Sequence, residues 1–306
     1  MRVLITGGAG FIGSHLVDAL IARGDEVTVL DNFSTGSRSN LQSSPGLRLI
    51  EGDVRNPSDV RLAVRGADAV IHAAAVVSVP LSIRDPKTTW NVNVGGTVNL
   101  LEAASSAELN MFVYISSCAV YGDSPNAPIP ETKTPDPISP YAKSKLEGET
   151  ACLDFWRRTG LPVLILRYFN VYGPRQPPGE YAGVMVKFTE RIRSGKPPII
   201  YGDGEQTRDF IHVSDAVRAT VSALERGPAG EVINIGSGRA ITINELCRIF
   251  LEISGRNDLK PVYAPPRPMD IRHSWADITK ASRLLGFRPE VDIREGVRGL
   301  LAGAAV

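Results

Sequence analysis

A glycine-rich segment near the N-terminus constrains the fold of this 306-residue chain more than any other feature. Residues 2–6 are apolar and predict a buried strand, and residues 14–23 have a helical pattern. Between them, Gly7 permits a tight turn, Gly10 lets backbone approach a diphosphate, and Gly13 lets helix and strand pack closely. The free N–H groups of the helix then point at the diphosphate. The segment therefore predicts a dinucleotide-binding turn rather than an ordinary connection.

Strand and helix patterns alternate over the next 150 residues. This alternation predicts an α/β fold, a Rossmann doubly wound parallel sheet with a smaller α/β substrate-binding domain. The expected cofactor domain is 1–168 plus about 209–236, and the expected substrate domain is about 169–208 plus 237–306. The predicted strands are 2–6, 26–30, 47–50, 69–75, 111–115, 162–168 and 231–235, and the predicted helices include 57–65, 85–107, 184–194 and 213–226.

An acid at the end of the second predicted strand indicates which dinucleotide binds. Asp31 lies roughly 20 residues beyond the glycine loop, where a carboxylate accepts the adenosine ribose hydroxyls and repels a 2′-phosphate. The sequence thus predicts that NAD binds in preference to NADP. Arg38 lies nearby and would favour NADP, unless it is a solvated charge on the loop.

Asp53 is placed either for the adenine amino group or as a loop cap. Asn93 either bonds backbone near the catalytic strand or satisfies a local carbonyl.

The predicted cofactor-binding set joins the glycine loop to the ends of the following strands. Small residues after the fourth strand would let the cofactor backbone pass close. The set comprises Gly7, Gly10, Phe11, Ile12, Gly13, Asp31, Asn32, Asp53, Val54, Ala73, Ala74, Ala75, Asn93, Tyr141, Lys145 and Tyr168.

A serine pair, a tyrosine and a lysine form a candidate catalytic set. Ser116 and Ser117 end the strand that begins at Met111, where open α/β sheets place their ligands. Tyr141 and Lys145 are four residues apart on a predicted helix, so their side chains share one face. An ammonium beside a phenol favours the phenolate, so we expect Lys145 to lower the pKa of Tyr141. Y-x-x-x-K is common by chance, and a helix-capping tyrosine with a solvated lysine is the alternative.

Composition excludes several classes of function. The net charge is +1 and the basic residues are scattered, so nothing indicates nucleic-acid binding. No apolar run approaches the roughly 20 residues of a membrane span, and the N-terminus does not read as a signal peptide. The four histidines have no metal-ligand spacing, so no metal is expected. The odd number of cysteines predicts reduced thiols and a cytoplasmic protein; they are Cys118, Cys152 and Cys247.

Taken together, these motifs resemble the extended short-chain dehydrogenase/reductase superfamily, and within it the nucleotide-sugar epimerases of the UDP-galactose 4-epimerase type. The resemblance covers essentially the whole chain. The glycine loop and the serine–tyrosine–lysine set mark the superfamily. The nucleotide-sugar branch is marked by R-Y-F-N-V-Y-G-P (167–174), G-D-G-E-Q-T-R-D-F-I-H-V (202–213) and R-P-M-D (267–270).

The resemblance implies a role for each catalytic residue. Ser117, rather than Ser116, is the catalytic hydroxyl, Tyr141 is the base, and Lys145 orients the nicotinamide ribose. Tyrosinate takes the proton of the sugar 4-hydroxyl while hydride passes from carbon 4 to NAD⁺. The 4-keto sugar rotates and hydride returns to its other face, so NAD is retained.

The resemblance also implies a UDP-sugar site. Asn170 and Arg208 grip the diphosphate, and Arg267 and Asp270 complete the nucleotide site. The full substrate-binding set is Ser117, Asn170, Tyr201, Arg208, Arg267, Asp270 and Ser274. It further implies a homodimer that pairs through helices 85–107 and 140–158.

At two places the sequence differs from that of some relatives, and each difference narrows the predicted reaction or substrate. The 4,6-dehydratases carry an Asp-Glu pair directly after the catalytic hydroxyl residue, whereas this chain has Cys118 and Ala119. Ser274 stands where some relatives carry a tyrosine at the sugar-pocket wall, so N-acetylhexosamine nucleotides are expected to fit as well as hexose nucleotides.

Two other functions stay open at this stage. One is a UDP-glucuronate-processing epimerase or decarboxylase, for which Arg84 and Arg272 are the candidate carboxylate partners. The other is a non-catalytic NAD-binding protein, which the intact Ser117, Tyr141 and Lys145 argue against.

Overall fold

The computed structural model describes residues 1–124, 128–179, 182–267 and 270–303 of the chain. Apolar, β-branched runs form most of the strands of the central sheet. The strands of the described residues are β1 (Arg2–Thr6), β2 (Glu26–Asp31), β3 (Leu47–Glu51), β4 (Ala69–His72), β5 (Met111–Ser117), β6 (Val163–Tyr168), β7 (Asn170–Tyr172), β8 (Ile199–Tyr201), β9 (Thr207–Arg208), β10 (Phe210–His212), β11 (Glu231–Ile235), β12 (Ile241–Thr242), β13 (Val262–Ala264) and β14 (His273–Ser274).

Helices connect the strands of the central sheet and fill the C-terminal part of the chain. They are α1 (Phe11–Ala22), α2 (Pro57–Val64), α3 (Val79–Arg84), α4 (Pro86–Trp90), α5 (Gly96–Ser105), α6 (Pro140–Thr159), α7 (Val184–Arg193), α8 (Val213–Arg226), α9 (Ile243–Ser254), α10 (Thr279–Leu285) and α11 (Ile293–Ala302). A π-helical segment (Asn91–Gly95) joins α4 to α5, and short 3₁₀ helices lie at Arg38–Asn40 and Cys118–Tyr121.

Seven parallel strands form the central sheet in the order β11-β6-β5-β4-β1-β2-β3. The order reverses at β1 and β4, so helices cover both faces. One face packs apolar side chains of α1 and α8, such as Leu16 and Ala219, and the other packs those of α2, α5 and α6, such as Val60, Leu100 and Cys152. The predicted doubly wound Rossmann sheet is confirmed.

Most predicted elements of the first 168 residues occur within a few residues of their predicted bounds. Helix α8 and strand β11 coincide with the predicted 213–226 and 231–235, and β11 returns to the sheet beside β6. The predicted helix 85–107 differs, because the π-helical segment interrupts it. Such segments often lie at functional sites.

A separate apolar cluster lies in the part of the chain after β6. Aromatic and aliphatic side chains from β7, α7, α9 and α11 form it, among them Tyr172, Phe188, Phe250 and Val297. The short strands around it were not predicted, because each has two or three residues and pairs with a distant segment.

Within the described ranges, no helix combines the length and the apolar character needed to cross a bilayer. The three cysteines are free thiols. Cys152 and Cys247 are buried and Cys118 is half-buried.

A buried ion pair lies beneath the carboxyl end of the sheet and was not predicted. The Arg167 guanidinium on β6 donates to both oxygens of Glu149 on α6, at 2.9 and 2.6 Å. The Ser116 hydroxyl also donates to Glu149, at 2.5 Å. Both charged side chains are at most 6 % exposed, so each compensates the other for its removal from water. The network joins β5, β6 and α6 at one point.

We predict that Glu149→Leu lowers the free energy of unfolding by about 3–5 kcal/mol, because it leaves the Arg167 charge buried without a partner. Urea denaturation of Glu149→Leu, Arg167→Leu and the double variant measures this. The double variant should recover most of the loss, since it removes both charges. Additive losses in the double variant would contradict the proposed compensation.

Candidate active site

The glycine loop forms a cradle that only glycine can line at two positions. Gly7 has φ +70°, and a Cβ there would lie 2.8 Å from the backbone of Ala74. A Cβ on Gly13 would lie 2.1 Å from the Gly7 carbonyl oxygen. Helix α1 begins after Gly10 with no side-chain cap and no acid in its first turn. The N-terminal N–H groups are therefore directed at an open, anion-favouring position, which fits a diphosphate.

Asp31 holds the glycine loop against the second strand. One carboxylate oxygen accepts the Ala9 N–H at 2.9 Å, and the other accepts the Phe33 N–H at 2.8 Å. Phe33 has φ +56°, which is rare for a non-glycine residue. Each carboxylate oxygen can accept a further bond, so this geometry leaves capacity for ribose hydroxyls.

Asp53 is bound within its own loop. Its carboxylate accepts from Arg55, whose hydrogen bonds hold the pKa of Asp53 at about 2, and from the Asn32 amide at 2.8 Å. These hydrogen bonds fit the loop-capping alternative, and the contact with adenine stays a prediction. Arg38 pairs with Glu51, and its guanidinium lies 4.4 Å from the centre of the Phe33 ring.

Asn93 lies in the π-helical segment, and its side chain hydrogen-bonds the backbone of the loop after β4. Its side-chain oxygen accepts the Val76 N–H at 2.7 Å, and its amide donates to the Val76 carbonyl at 3.0 Å. The same amide donates to Ser144 on α6 at 2.9 Å. Asn93 thus joins the predicted cofactor loop to α6, the helix that carries Tyr141 and Lys145.

The other predicted cofactor residues lie at the carboxyl end of the sheet or pack beside it. Ala73 and Ala74 approach Gly7, and Ala75 follows them on the same loop. Val54 packs against Gly96 of α5. Phe11 and Ile12 are half-buried at the start of α1. Tyr168 is 4 % exposed, and its hydroxyl is bound to Thr220.

Ser117 and Tyr141 come together at the carboxyl end of β5. Ser117 ends the strand and caps the following 3₁₀ helix, where its hydroxyl accepts the Ala119 N–H at 3.2 Å. Tyr141 lies in the first turn of α6, which Ser139 caps, and its own N–H donates to Ser82 at 3.1 Å. The Tyr141 phenol hydrogen-bonds the Ser117 hydroxyl. The two predicted catalytic hydroxyls are therefore adjacent.

The expected lowering of the Tyr141 pKa is wrong for this structure. Burial raises the pKa of the Tyr141 phenol to about 12, although the hydrogen bond from Ser117 opposes the shift. The Lys145 Nζ lies 4.4 Å from the centre of the Tyr114 ring. Burial lowers the pKa of Lys145 to about 8, against the opposing effect of the Glu149 carboxylate.

A cavity of about 560 Å³ collects five of the seven predicted substrate residues, which are Asn170, Tyr201, Arg208, Arg267 and Asp270. Arg208 donates to Asp270 at 2.5 Å, and the Arg267 guanidinium lies 4.0 Å from the centre of the Tyr201 ring. Four basic and two acidic side chains are among the described residues that line it, so its wall favours an anion. Pro268 and Met269 of the R-P-M-D motif lie outside the described residues.

Ser274 connects this cavity to the catalytic hydroxyls. Strand β14 pairs with β9, which places Ser274 opposite Arg208. The hydroxyls of Ser274 and Ser117 both act to lower the pKa of the Cys118 thiol, against the larger effect of burial, so both lie beside it. Ser274 therefore lies between Arg208 and the turn that holds Ser117 and Cys118.

Several residues of the site were missed by the sequence analysis. Lys187, Gln206 and Phe210 line the cavity. Asp209 is fully buried and accepts from the Ser237 hydroxyl and from backbone at 237, 238 and 276, which fixes the loop beside Arg208. The sequence did carry a signal for Glu149, because it lies four residues after Lys145 and therefore on the same helix face as Tyr141 and Lys145.

The candidate residues for a carboxylate substrate are on the surface. Arg272 is exposed and makes a two-point ion pair with Asp203, at 2.7 and 3.0 Å. Arg84 is exposed at the end of α3. In the part of the chain that the structure describes, no group of three or more His, Cys, Asp or Glu side chains could hold a metal ion.

Comparison with known proteins places this geometry in a family. Residues 3–236 match the NAD dependent epimerase/dehydratase family. A UDP-glucose 4-epimerase from Thermotoga maritima, solved with UDP-glucose, is similar with a TM-score of 0.95 and 41% identity over 99% of this chain and 98% of that one.

Two further solved structures are almost as similar. A UDP-N-acetylglucosamine 4-epimerase from Methanobrevibacter ruminantium M1 has a TM-score of 0.94 and 38% identity, covering 99% of this chain and 97% of its own. A UDP-glucuronic acid 4-epimerase from Bacillus cereus, solved with UDP-glucuronic acid and NAD, has a TM-score of 0.93 and 36% identity, covering 99% and 98%. The glycine cradle, the Ser117–Tyr141 pair and these similarities agree, and the chain belongs to the NAD-dependent epimerase/dehydratase family.

Proposed function

We propose that the protein is an NAD-dependent 4-epimerase of UDP-hexoses. One observation carries the proposal, which is the succession of neighbouring residues from Tyr141 through Ser117, Cys118 and Ser274 to Arg208 in the anion-favouring cavity. A nucleotide diphosphate at Arg208 would direct its sugar toward Ser117 and Tyr141. The solved relatives bind UDP-glucose and UDP-glucuronic acid.

The adjacent hydroxyls of Tyr141 and Ser117 carry out the proton transfer at the sugar 4-hydroxyl. Tyr141 accepts the proton of the sugar 4-hydroxyl, and Ser117 holds the same oxygen by a hydrogen bond. The glycine cradle and the first turn of α1 would hold NAD⁺, which would supply hydride acceptance at carbon 4 and hydride return to the opposite face. Because burial raises the pKa of Tyr141, the phenol needs a positive charge close to it before it can act as a base at neutral pH.

The cavity residues anchor the nucleotide while the sugar turns. Arg208 offers a planar donor fork to the diphosphate, and Asp270 keeps that fork oriented. Arg267 and Tyr201 are stacked on each other and form one wall. Binding energy from the diphosphate therefore holds the substrate without fixing the reacting ring.

The residues after Ser117 favour epimerisation over dehydration. Elimination of water from the sugar requires acid and base side chains beside carbons 5 and 6. Cys118 and Ala119 occupy the positions of the acidic pair of the dehydratases. Burial raises the pKa of the Cys118 thiol to about 11, so it stays protonated and uncharged at neutral pH.

We infer two domains, with bounds 1–168 plus about 209–236 for the cofactor and about 169–208 plus 237–306 for the nucleotide sugar. The separate apolar cluster of α7, α9 and α11 supports this division. Arg208 and Ser274 fall in the second domain and Ser117 in the first, so substrate would bind between the two.

We expect Tyr141→Phe to lower the rate of UDP-galactose and UDP-glucose interconversion by at least about 10²-fold, because it removes the proton acceptor and leaves the ring packing. Anion-exchange chromatography of the products, with no added nicotinamide, measures the rate. Tyr172→Phe is the control: like Tyr141→Phe it removes one buried phenol hydroxyl, and among the described residues the hydroxyl of Tyr172 has no hydrogen-bond partner. Equal rates in Tyr141→Phe and the wild type would sink the proposal, and turnover of UDP-glucuronate alone would replace it with the uronate reaction.

We expect Ser274→Tyr to lower turnover of UDP-N-acetylglucosamine about 10- to 100-fold relative to UDP-glucose, because a bulky side chain fills the space beside Cys118. Ser274→Ala keeps that space and should leave the ratio of the two rates unchanged. The ratio comes from parallel assays of both substrates. A tyrosine variant with the wild-type ratio would show that Ser274 does not bound the sugar pocket.

We propose a homodimer that pairs through the α4–α5 and α6 helices. Trp90 on α4 is 46% exposed and Ile83 on the preceding helix is 47% exposed, which is unusual for large apolar side chains. Sedimentation at micromolar concentration should give twice the chain mass of 33.0 kDa, and Trp90→Asp should shift the protein toward the monomer. A wild-type protein that sediments only as the single chain would refute the dimer.

A further inference from the structure

We propose that Tyr114 is a positioning residue for Lys145, and that the face of its ring holds the ammonium beside the cofactor site. The inference rests on the proposed function, since Lys145 matters through the bound cofactor and the Tyr141 phenol. Tyr114 lies on β5, three residues before Ser117, and is fully buried.

The contact between Tyr114 and helix α6 is close along the whole side chain. The Lys145 Nζ lies 4.4 Å from the ring centre, within the range of a cation–π contact. The Tyr114 hydroxyl donates to the Lys145 carbonyl at 3.4 Å. A Cβ on Gly148 would lie 2.2 Å from that hydroxyl. The glycine therefore makes the groove that lets the ring reach beneath the lysine.

The Glu149 carboxylate attracts the ammonium but does not pair with it. Among the described residues Lys145 makes no ion pair, and both oxygens of Glu149, one turn further along α6, are bound by Arg167 and Ser116. The Cys152 thiol also faces Lys145 and stays protonated, because burial raises its pKa. Burial likewise raises the pKa of Tyr114, so its ring is uncharged. Tyr141 precedes Lys145 by one turn on the same face.

His72 on β4 completes the surroundings of Lys145 and is held neutral. Its Nδ1 lies 2.7 Å from the Thr6 hydroxyl, and its Nε2 lies 2.9 Å from the Thr97 hydroxyl. Thr97 donates its own proton to the Asn93 carbonyl at 2.6 Å. Nε2 must therefore be the donor, and Thr6 donates to Nδ1. Burial, and then the charge of Lys145, lower the pKa of His72 to about 3.

The Tyr114 ring face is thus in direct contact with the buried ammonium, which the Glu149 carboxylate also attracts without forming an ion pair. Burial disfavours the ammonium, while the ring quadrupole favours it. Removing the ring face should make Lys145 lose its proton at a lower pH. The amine that remains no longer offers a full positive charge to the cofactor site or to the phenol.

The test replaces Tyr114 by phenylalanine, by 3,4,5-trifluorophenylalanine and by leucine, in the full-length protein saturated with NAD. The ¹³Cε resonance of Lys145, assigned by its loss in Lys145→Met, is titrated by NMR. Phenylalanine keeps the ring face and should keep the midpoint. Leucine should lower it by roughly one pH unit, and the fluorinated ring, which keeps the shape but not the negative face, should lower it by part of that amount. The high-pH limb of kcat/KM should move with the midpoint.

Phe112→Leu is the matched control, because Phe112 lies two residues away on the same face of the same strand. It should leave the midpoint unchanged. If the fluorinated and leucine variants titrate like phenylalanine, Tyr114 does not position the charge. The fluorinated variant decides the question even if leucine fails to fold. Absence of turnover in the wild type would reject the proposed function but not this titration.

Discussion

The packing of helix α6 against the carboxyl half of β5 is the contact on which the rest of the site depends. Tyr114 fits the groove at Gly148, Ser116 bonds Glu149, and Ser117 meets Tyr141 at the end of the strand. These side chains follow one another along β5, and each contacts a different turn of α6. A shift of α6 by one residue would separate Ser117 from Tyr141 and leave the Glu149 charge buried alone, so the buried network fixes the register between α6 and β5.

The sheet and its glycine turn were predictable because their signals are local. A strand, a glycine loop and a helix adjoin in the first two dozen residues, and strands alternate with helical segments from β3 to β6. The residues of the nucleotide site were predicted from the family resemblance, and five of these predicted residues line one cavity. Spacing alone would not have gathered Asn170, Arg208 and Asp270, because strands of two or three residues carry no periodicity that distinguishes them from loops.

The chemistry of buried charge was the part that the sequence did not disclose. Glu149 and Arg167 are 18 residues apart and look like solvated surface charges until the fold removes them from water. The predicted direction of the Tyr141 pKa shift was wrong for the same reason. The spacing of Tyr141 and Lys145 indicates that the two side chains are close, but it does not indicate how far they are removed from water. Lys145 satisfies its charge on the Tyr114 ring, a partner 31 residues away on another element.

The most direct measurement follows the hydrogen on carbon 4 of the sugar. UDP-galactose that carries deuterium at carbon 4 would be converted in ordinary water, and the UDP-glucose formed would be analysed by mass spectrometry and NMR. Oxidation at carbon 4 with hydride returned from a retained cofactor predicts that the product keeps its deuterium at carbon 4. Loss of the label to solvent would contradict the account, and so would its appearance at another carbon.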